Sequence, residues 1–160
     1  MQRHWWLTTD QDRGLLEMHA RHYPKRAYAD GRDVFQCLGP GEKVPLRTYG
    51  DRWACDAIFG WRKFIDDCID ERTGERQQGI NCAFFRNESS RRSSDLIRQA
   101  DAIADCLWPD RRHYTYVNAA AVRSGLPGGC FLAAGWRYVR LRGHRARTKS
   151  GLLILERVRG

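Results

Sequence analysis

The pattern of apolar and polar positions predicts a helix near the start of the chain. We predict this helix at residues 10–23, because Leu15, Leu16 and His19 share one face and Pro24 blocks its continuation. Short apolar runs farther along the chain are typical of strands. These strands are predicted at 34–38, 43–48, 57–64 and 80–85. The charged stretch 66–78 is predicted as a loop with room for one helical turn.

The second half of the chain predicts a strand–helix–strand unit. Apolar residues recur at helical spacing from Leu96 to Leu107, Ser93 or Ser94 can cap this helix, and Pro109 ends it. A strand at 113–118, a short helix at 130–134 and a hairpin of 136–141 with 152–158 follow. Because a strand–helix–strand unit must cross over, its two strands run parallel. We therefore predict one α/β (α+β) domain over residues 1–160, with a mixed, mostly antiparallel sheet flanked by helices.

Composition and charge restrict the class of protein. A chain of 160 residues with 42% hydrophobic residues can build a core and is not typical of a disordered chain. The apolar run Trp5–Leu7 is too short for a leader or a membrane span, so we expect a cytoplasmic protein without a membrane partner. The net charge is +9, and 24 of the 28 basic residues are Arg. This balance favours a polyanionic partner, although Arg in place of Lys in a GC-rich genome explains it equally well.

The cysteines and acidic residues do not predict a metal site. No two of the six cysteines are closer than thirteen positions, so the spacings of zinc ligands are missing. We interpret the cysteines as reduced thiols. The carboxylates of Asp66, Asp67 and Asp70 are interpreted as a solvated loop.

Eight short strings occur in order along the chain. They are His22-Tyr23-Pro24, Gly39-Pro40-Gly41-Glu42-Lys43, Asn81-Cys82-Ala83-Phe84-Phe85-Arg86-Asn87-Glu88, Ser93-Ser94-Asp95-Leu96-Ile97, Tyr114-Thr115-Tyr116-Val117-Asn118, Pro127-Gly128-Gly129-Cys130-Phe131, Ala134-Gly135-Trp136 and Thr148-Lys149-Ser150-Gly151-Leu152. Together they resemble the Mom family of phage Mu-like DNA-modification proteins, and their order resembles the GNAT acyltransferase fold. The resemblance covers roughly residues 19–156.

The resemblance implies a GNAT-like sheet whose central parallel pair is splayed. It also implies a phage or prophage enzyme that converts adenine in double-stranded DNA to a carbamoylmethyl (acetamido) derivative at the exocyclic amine, which protects the DNA from restriction. Analogy with the fold implies acyl-CoA (acetyl-CoA) as the group donor. Because a carbamoylmethyl group resembles glycine, an activated glycine such as glycyl-tRNA is the other option. The metal requirement and the oligomeric state, including a homodimer, stay open.

The donor-binding segment departs from the ordinary GNAT pattern. GNAT enzymes follow the central strand with an Arg/Gln-x-x-Gly-x-Gly/Ala loop, whose N–H groups hold the coenzyme A pyrophosphate at a helix N-terminus. The corresponding segment, residues 86–94, contains no glycine. The candidate donor-binding residues are Arg86, Asn87, Arg91, Arg92, Ser93 and Ser94. The alternative is an ordinary helix start with solvated arginines.

The catalytic residues implied by the resemblance also differ from the ordinary set. Phe131 stands where GNAT enzymes place a Tyr general acid, and a phenyl ring cannot transfer a proton. Tyr116 is therefore our substitute, while His22, Tyr23 or Glu88 serves as base or positioning group. The candidate catalytic residues are His22, Tyr23, Glu88, Tyr116 and Asn118. The alternatives are a packed Tyr23 and Tyr116, and a solvated His22 and Glu88.

A basic segment near the C-terminus is the candidate nucleic-acid interface. The residues expected to contact phosphates are Arg123, Arg140, Arg142, Arg145, Arg147 and Lys149. To react within a duplex, adenine must be extruded against an aromatic wall. Trp5, Trp6, Trp53 or Trp61 can supply this wall, unless they pack in the core.

Two other functions remain open from the sequence. One is an ordinary acyl-CoA N-acyltransferase acting on a protein or a small amine. The other is a non-catalytic nucleic-acid-binding module on a GNAT scaffold.

Overall fold

A seven-stranded sheet forms the centre of the computed structural model, which describes residues 2–23, 36–121 and 125–159. The strands are β1 (Trp6–Leu7), β2 (Glu42–Tyr49), β3 (Cys55–Lys63), β4 (Ile69–Asp70), β5 (Glu75–Arg76), β6 (Ile80–Asn87), β7 (His113–Val117), β8 (Arg137–Tyr138), β9 (Arg140–Leu141), β10 (His144–Arg145) and β11 (Leu153–Arg157). The α-helices are α1 (Arg13–His22), α2 (Ser93–Leu107) and α3 (Gly129–Ala133), and 3-10 turns cover Asp51–Trp53 and Ala119–Ala121.

The order of strands in the sheet is β1-β2-β3-β6-β7-β11-β8. β6 and β7 run parallel and the other paired strands run antiparallel. Helix α2 makes the crossover between β6 and β7, as a parallel connection requires. The predicted mixed α/β sheet with one parallel pair is therefore confirmed.

Apolar residues pack on both faces of the sheet. Ile58 and Phe59 are neighbours in β3 and enter different clusters, because side chains alternate along a strand. Ile58 packs with Leu15 and Met18 of α1. Phe59 belongs to the larger cluster, which takes in one face of α2 and Phe131 of α3. The helices therefore cover the two faces of the strands that form the site.

Local signals placed both long helices nearly correctly. Asp12 is the N-cap of α1 and its Oδ1 accepts a hydrogen bond of 3.0 Å from the Leu15 N–H. The N-cap of α2 is Arg92, whereas the sequence indicated Ser93 or Ser94. No side chain caps this helix, so its first N–H groups have no side-chain partner.

Three sequence predictions are wrong in part. Residues 36–38 are not a strand, and residues 34–35 lie outside the described part of the chain. The stretch 66–78 contains the hairpin β4–β5 instead of a plain loop. In the predicted final hairpin, β8 pairs with β11, while β9 and β10 form a separate hairpin. The pairing of short segments decided the second and third cases.

The described residues include no helix that is long and apolar enough to cross a membrane.

Candidate active site

The parallel strands β6 and β7 separate after three paired residues. Pairing begins at Ile80 with His113 and ends at Cys82 with Thr115, although β6 continues to Asn87. The separation follows a β-bulge in β6: Phe84 lies opposite Gly60 and Cys82 opposite Trp61, which leaves Ala83 without a partner on β3. Bulges bend a strand and end pairing. The splayed pair implied by the resemblance is confirmed.

Tyr23 lies at the β6 edge that β7 leaves open. Its hydroxyl accepts a hydrogen bond of 3.3 Å from the Phe85 N–H and donates one of 3.4 Å to the Phe85 carbonyl. The Phe85 carbonyl also accepts a hydrogen bond of 3.1 Å from Arg86, whereas the contact of the Phe85 N–H with Tyr23 is long, so this N–H is weakly held. Burial raises the pKa of Tyr23, which keeps its proton at neutral pH. The Arg86 guanidinium lies 4.8 Å from the centre of the Tyr23 ring.

The side chains of His22 and Glu88 contact each other. His22 directly precedes Tyr23 in the chain, and Glu88 directly follows the end of β6. The His22 Nε2–H donates to the Glu88 carboxylate at 2.6 Å, and Arg21 donates to the same carboxylate at 2.8 Å. These hydrogen bonds, the one from Arg21 most of all, lower the pKa of Glu88. An ionised Glu88 that holds Nε2–H leaves the lone pair of His22 on Nδ1. The pair therefore has the arrangement of a base and its orienting carboxylate.

The bend from Glu88 to Arg92 is organised by Asn87. Its Nδ2 donates to the Arg91 carbonyl at 2.7 Å and to the Ser93 hydroxyl at 3.0 Å, while its Oδ1 accepts from the Ser89 N–H at 2.9 Å. An amide side chain thus shapes a bend that has no glycine. The bend leads directly into the uncapped start of α2.

Five of the six candidate donor-binding residues fall into two groups, and the sixth, Arg86, lies over the Tyr23 ring. Asn87 supports the bend, and Arg91 is bound at 3.0 Å to Asp56 and at 3.2 Å to the Tyr49 carbonyl. Arg92 is exposed at the start of α2, with Ser93 and the buried Ser94 in its first turn. The second group presents the positive end of the helix dipole and a guanidinium that pairs with no side chain among the described residues.

Tyr116 is engaged elsewhere. Its hydroxyl donates to Asp66 at 2.7 Å, as does that of Tyr114. Burial first, and then hydrogen bonding that includes Asp66, raise the pKa of Tyr116. Asn118 is exposed and accepts a hydrogen bond of 3.1 Å from the Ala120 N–H. Neither residue makes a hydrogen bond to His22, Tyr23 or Glu88, all of which lie in the described part of the chain.

Two polar contacts of this region were missed by sequence reasoning. Asp66 and Asp70 are buried and not solvated. Tyrosine hydroxyls donate hydrogen bonds to Asp66, and Arg72 forms an ion pair with Asp70. Arg21 pairs with a carboxylate 67 positions away. No local signal reveals a contact at such a separation.

The basic residues of the C-terminal segment are displayed at the surface. The exposed residues are Arg140, Arg142, Arg145, Arg147 and Lys149. Arg123 lies outside the described residues. Residues 111–155 contain nine Lys and Arg and no Asp or Glu, so this segment alone accounts for the net charge of +9.

The candidate aromatic wall divides into core and surface residues. Trp61 is fully buried and its Nε1 donates to the Ala100 carbonyl at 2.9 Å, so it cannot contact an extruded base. Trp5 is half-buried and its Nε1 donates to the Leu96 carbonyl. Trp6 and Trp53 are 62% and 81% exposed and each meets Tyr49 edge to face. The exposed group therefore consists of Trp6, Tyr49 and Trp53.

Comparisons with known proteins agree on the fold. The chain is similar to the crystal structure of Escherichia coli ElaA, with a TM-score of 0.60 and 10% identity over 97% of this chain and 99% of that chain. It is also similar to an acyl-CoA N-acyltransferase from Pseudomonas aeruginosa, with a TM-score of 0.50 and 17% identity over 96% of this chain and 98% of that chain.

The sequence comparisons add no family. No protein-family model and no curated protein sequence matches the chain. Nothing in the comparisons supports the Mom-type identity that the resemblance implied. The chain has the mixed sheet and splayed strand pair of the GNAT-type acyl-CoA N-acyltransferase fold.

Proposed function

We propose that this protein transfers an acyl group from an acyl-CoA thioester to a primary amine. The observation that carries the proposal is the opening between β6 and β7, where the Phe85 N–H makes a long contact with Tyr23, together with the uncapped start of α2 that follows β6 in the chain. The carbonyl oxygen of a thioester can accept a hydrogen bond from the Phe85 N–H, which replaces the long contact between this N–H and Tyr23. Donation of this N–H to the carbonyl oxygen stabilises the charge that develops there.

The start of α2 fits the anionic end of the donor. Ser93 and Ser94 supply N–H groups at the positive end of the helix, and Arg92 adds an exposed guanidinium. Glycine is not needed for this approach, since Asn87 already shapes the bend. Acyl-CoA is therefore the donor that we propose. The comparisons do not support glycyl-tRNA as the donor.

The acceptor amine meets His22. In the proposed reaction the amine nitrogen attacks the thioester carbon, the carbon–sulfur bond breaks, and the thiolate leaves. His22 Nδ1 takes the proton that the amine loses, and Glu88 stabilises the resulting imidazolium. Tyr23 keeps its proton at the open edge and can pass it to the thiolate.

Reversing the charge of Arg92 tests the donor site. In Arg92→Glu the affinity for acetyl-CoA is expected to fall about tenfold, because the phosphates then face a carboxylate at the helix start. Titration calorimetry of the full chain measures this affinity. Arg111→Glu, an exposed residue beyond the end of α2, is the matched control and should leave the affinity nearly unchanged. Equal weakening in both variants, or no saturable binding by the native protein, contradicts the proposed donor.

A second candidate function differs in the acceptor of the transferred group, and the distribution of charge along the chain favours it. The acid-free segment 111–155 and the exposed arginines of β9 and β10 suit a phosphate backbone. Under this candidate the acceptor is the exocyclic amine of adenine in double-stranded DNA, as in Mom-type modification. The exposed group of Trp6, Tyr49 and Trp53 offers faces on which a base can stack. Isotope-traced mass spectrometry of nucleosides from expressing cells identifies such a product, and its absence contradicts this acceptor.

The salt dependence of DNA binding gives an independent test. For Arg142→Gln/Arg145→Gln/Arg147→Gln, the slope of log affinity against log salt is expected to become shallower by about 2–3, since each phosphate contact contributes about 0.9. Fluorescence anisotropy with a short duplex measures the slope. Arg3→Gln/Arg13→Gln/Arg76→Gln removes the same charge from other exposed positions and should change the slope little. Identical slopes in the two triple variants contradict DNA docking at this hairpin.

A further inference from the structure

A pocket separate from the opening between β6 and β7 lies at the edge of the sheet that is opposite β1. Its volume is about 420 Å³, and it is lined by Arg72, Leu132, Trp136, Arg137, Tyr138, Arg140 and Glu156. None of these residues belongs to the opening between β6 and β7. β8, which supplies Arg137 and Tyr138, is the terminal strand and is separated from β7 by β11. The pocket is therefore distinct from the proposed acyl-transfer site.

A buried carboxylate organises the arginines at this pocket. Glu156 is 1% exposed and accepts hydrogen bonds from Arg72 at 2.8 Å, from Arg112 at 2.7 Å and from Arg137 at 3.2 Å. Arg72 also binds Asp70 at 2.9 Å, so its donors are largely used. These contacts fix the base of the pocket, since a buried carboxylate with several guanidinium partners holds each of them in place.

Two arginines of the lining keep donors for a ligand. Arg137 reaches Glu156 through Nε alone, so its two terminal NH₂ groups have no partner among the described residues. Arg140 makes no hydrogen bond or ion pair with any described side chain. The planar fork of arginine suits the oxygens of a phosphate group.

The local charge indicates a doubly negative ligand. Arg72, Arg112 and Arg137 bind Glu156, and Arg72 also binds Asp70. Arg140 lines the same pocket, so the four guanidiniums exceed the two carboxylates by two positive charges. A phosphate monoester carries about 1.5–2 negative charges near pH 7. Leu132 and Trp136 line the same pocket and supply an apolar wall.

We propose that this pocket binds a small phosphate monoester that carries an apolar or aromatic group. The phosphate meets the free donors of Arg137 and Arg140, and the apolar group packs on Leu132 and Trp136. The proposal goes beyond acyl transfer and does not depend on it.

Calorimetric titration of the full chain with phenyl phosphate tests the proposal. Arg137→Gln/Arg140→Gln is expected to weaken binding at least about tenfold, because it removes charge-assisted hydrogen bonds to the phosphate. Arg142→Gln/Arg147→Gln removes the same charge from exposed residues outside the pocket and should leave the affinity within about twofold. Arg140→Gln alone serves as a further variant, since the Arg140 side chain makes no hydrogen bond or ion pair with the described residues that its loss would break. Acetyl-CoA affinity should stay the same in all three variants.

Several results would overturn the proposal. Native protein that shows no saturable binding of phenyl phosphate up to about 10 mM excludes a specific site. Equal weakening in both double variants shows attraction by net charge alone. If benzoate binds as tightly as phenyl phosphate, the pocket does not select a doubly negative group. If inorganic phosphate binds as tightly, the apolar wall does not contribute to the affinity. If phenyl phosphate does not bind, and binding of duplex DNA requires Arg137 and Arg140, the pocket binds backbone phosphates instead.

Discussion

Replacing Asp101 with alanine is expected to lower the free energy of unfolding by about 3–5 kcal/mol, because it leaves buried polar partners without their carboxylate. Asp101 is 2% exposed on α2. It accepts hydrogen bonds from His113 Nδ1 at 2.8 Å and from Trp136 Nε1 at 3.0 Å. It therefore ties α2 to the start of β7 and to the segment that follows α3.

Urea unfolding followed by circular dichroism measures this loss. Asp95→Ala is the matched control, since Asp95 lies on the same helix but is half-exposed and, among the side chains that the structure describes, pairs with Arg98 alone. A surface pair of this kind contributes about 0–1 kcal/mol. If Asp101→Ala loses no more stability than Asp95→Ala, the buried network does not hold the helix to the sheet.

Replacing His22 with alanine is expected to lower kcat/KM for acyl transfer about 10²- to 10⁴-fold, because the acceptor amine loses its general base. The expectation follows from the 2.6 Å hydrogen bond that directs Nε2 to Glu88 and leaves Nδ1 for the amine. Release of the coenzyme A thiol from acetyl-CoA, with the amine that gives the fastest turnover, measures the rate. His4→Ala is the control, because His4 contacts α2 through its backbone and lies outside the site.

Glu88 and Arg21 act through His22 as positioning residues, so their variants separate the base from its support. Glu88→Gln is expected to lower kcat with little change in KM for acetyl-CoA. Arg21→Gln should raise the pKa of Glu88 toward its usual value, since the Arg21 hydrogen bond is the largest cause of the lowered pKa. The Glu88 carboxylate of Arg21→Gln should then gain its proton at a higher pH than that of the native protein, which a carbon-13 NMR titration of the carboxylate measures. An unchanged rate in His22→Ala, with thermal unfolding showing a folded variant, would contradict the assignment.

The fold was largely predictable from local pattern, and the exceptions have a common cause. Helix α1 and the strand–helix–strand unit follow from apolar periodicity and from proline positions. The stretch 66–78 was misjudged, because the burial of Asp66 depends on the hydroxyls of Tyr114 and Tyr116, about 50 positions away. The cap of α2 was also misjudged, since Asn87 takes the Ser93 hydroxyl as a hydrogen-bond partner. Polar residues satisfied by distant partners carry no local signature.

For the candidate site, the sequence indicated the residues better than their roles. His22, Tyr23 and Glu88 were all named, and the structure brings His22 and Glu88 into contact. Tyr116 was named as an acid, and its hydroxyl donates a hydrogen bond to Asp66. The roles depend on which polar groups meet, and that is a property of the folded chain.

By itself, the sequence determined the two long helices, the parallel crossover and the location of the net charge, because periodicity, helix ends and charge are local properties of the chain. Only the tertiary structure decided where β6 parts from β7, since the bulge at Ala83 is defined by its pairing with β3. It also decided that His22 meets Glu88 across 66 positions and that Glu156 gathers three arginines, because such contacts form only when remote segments pack together.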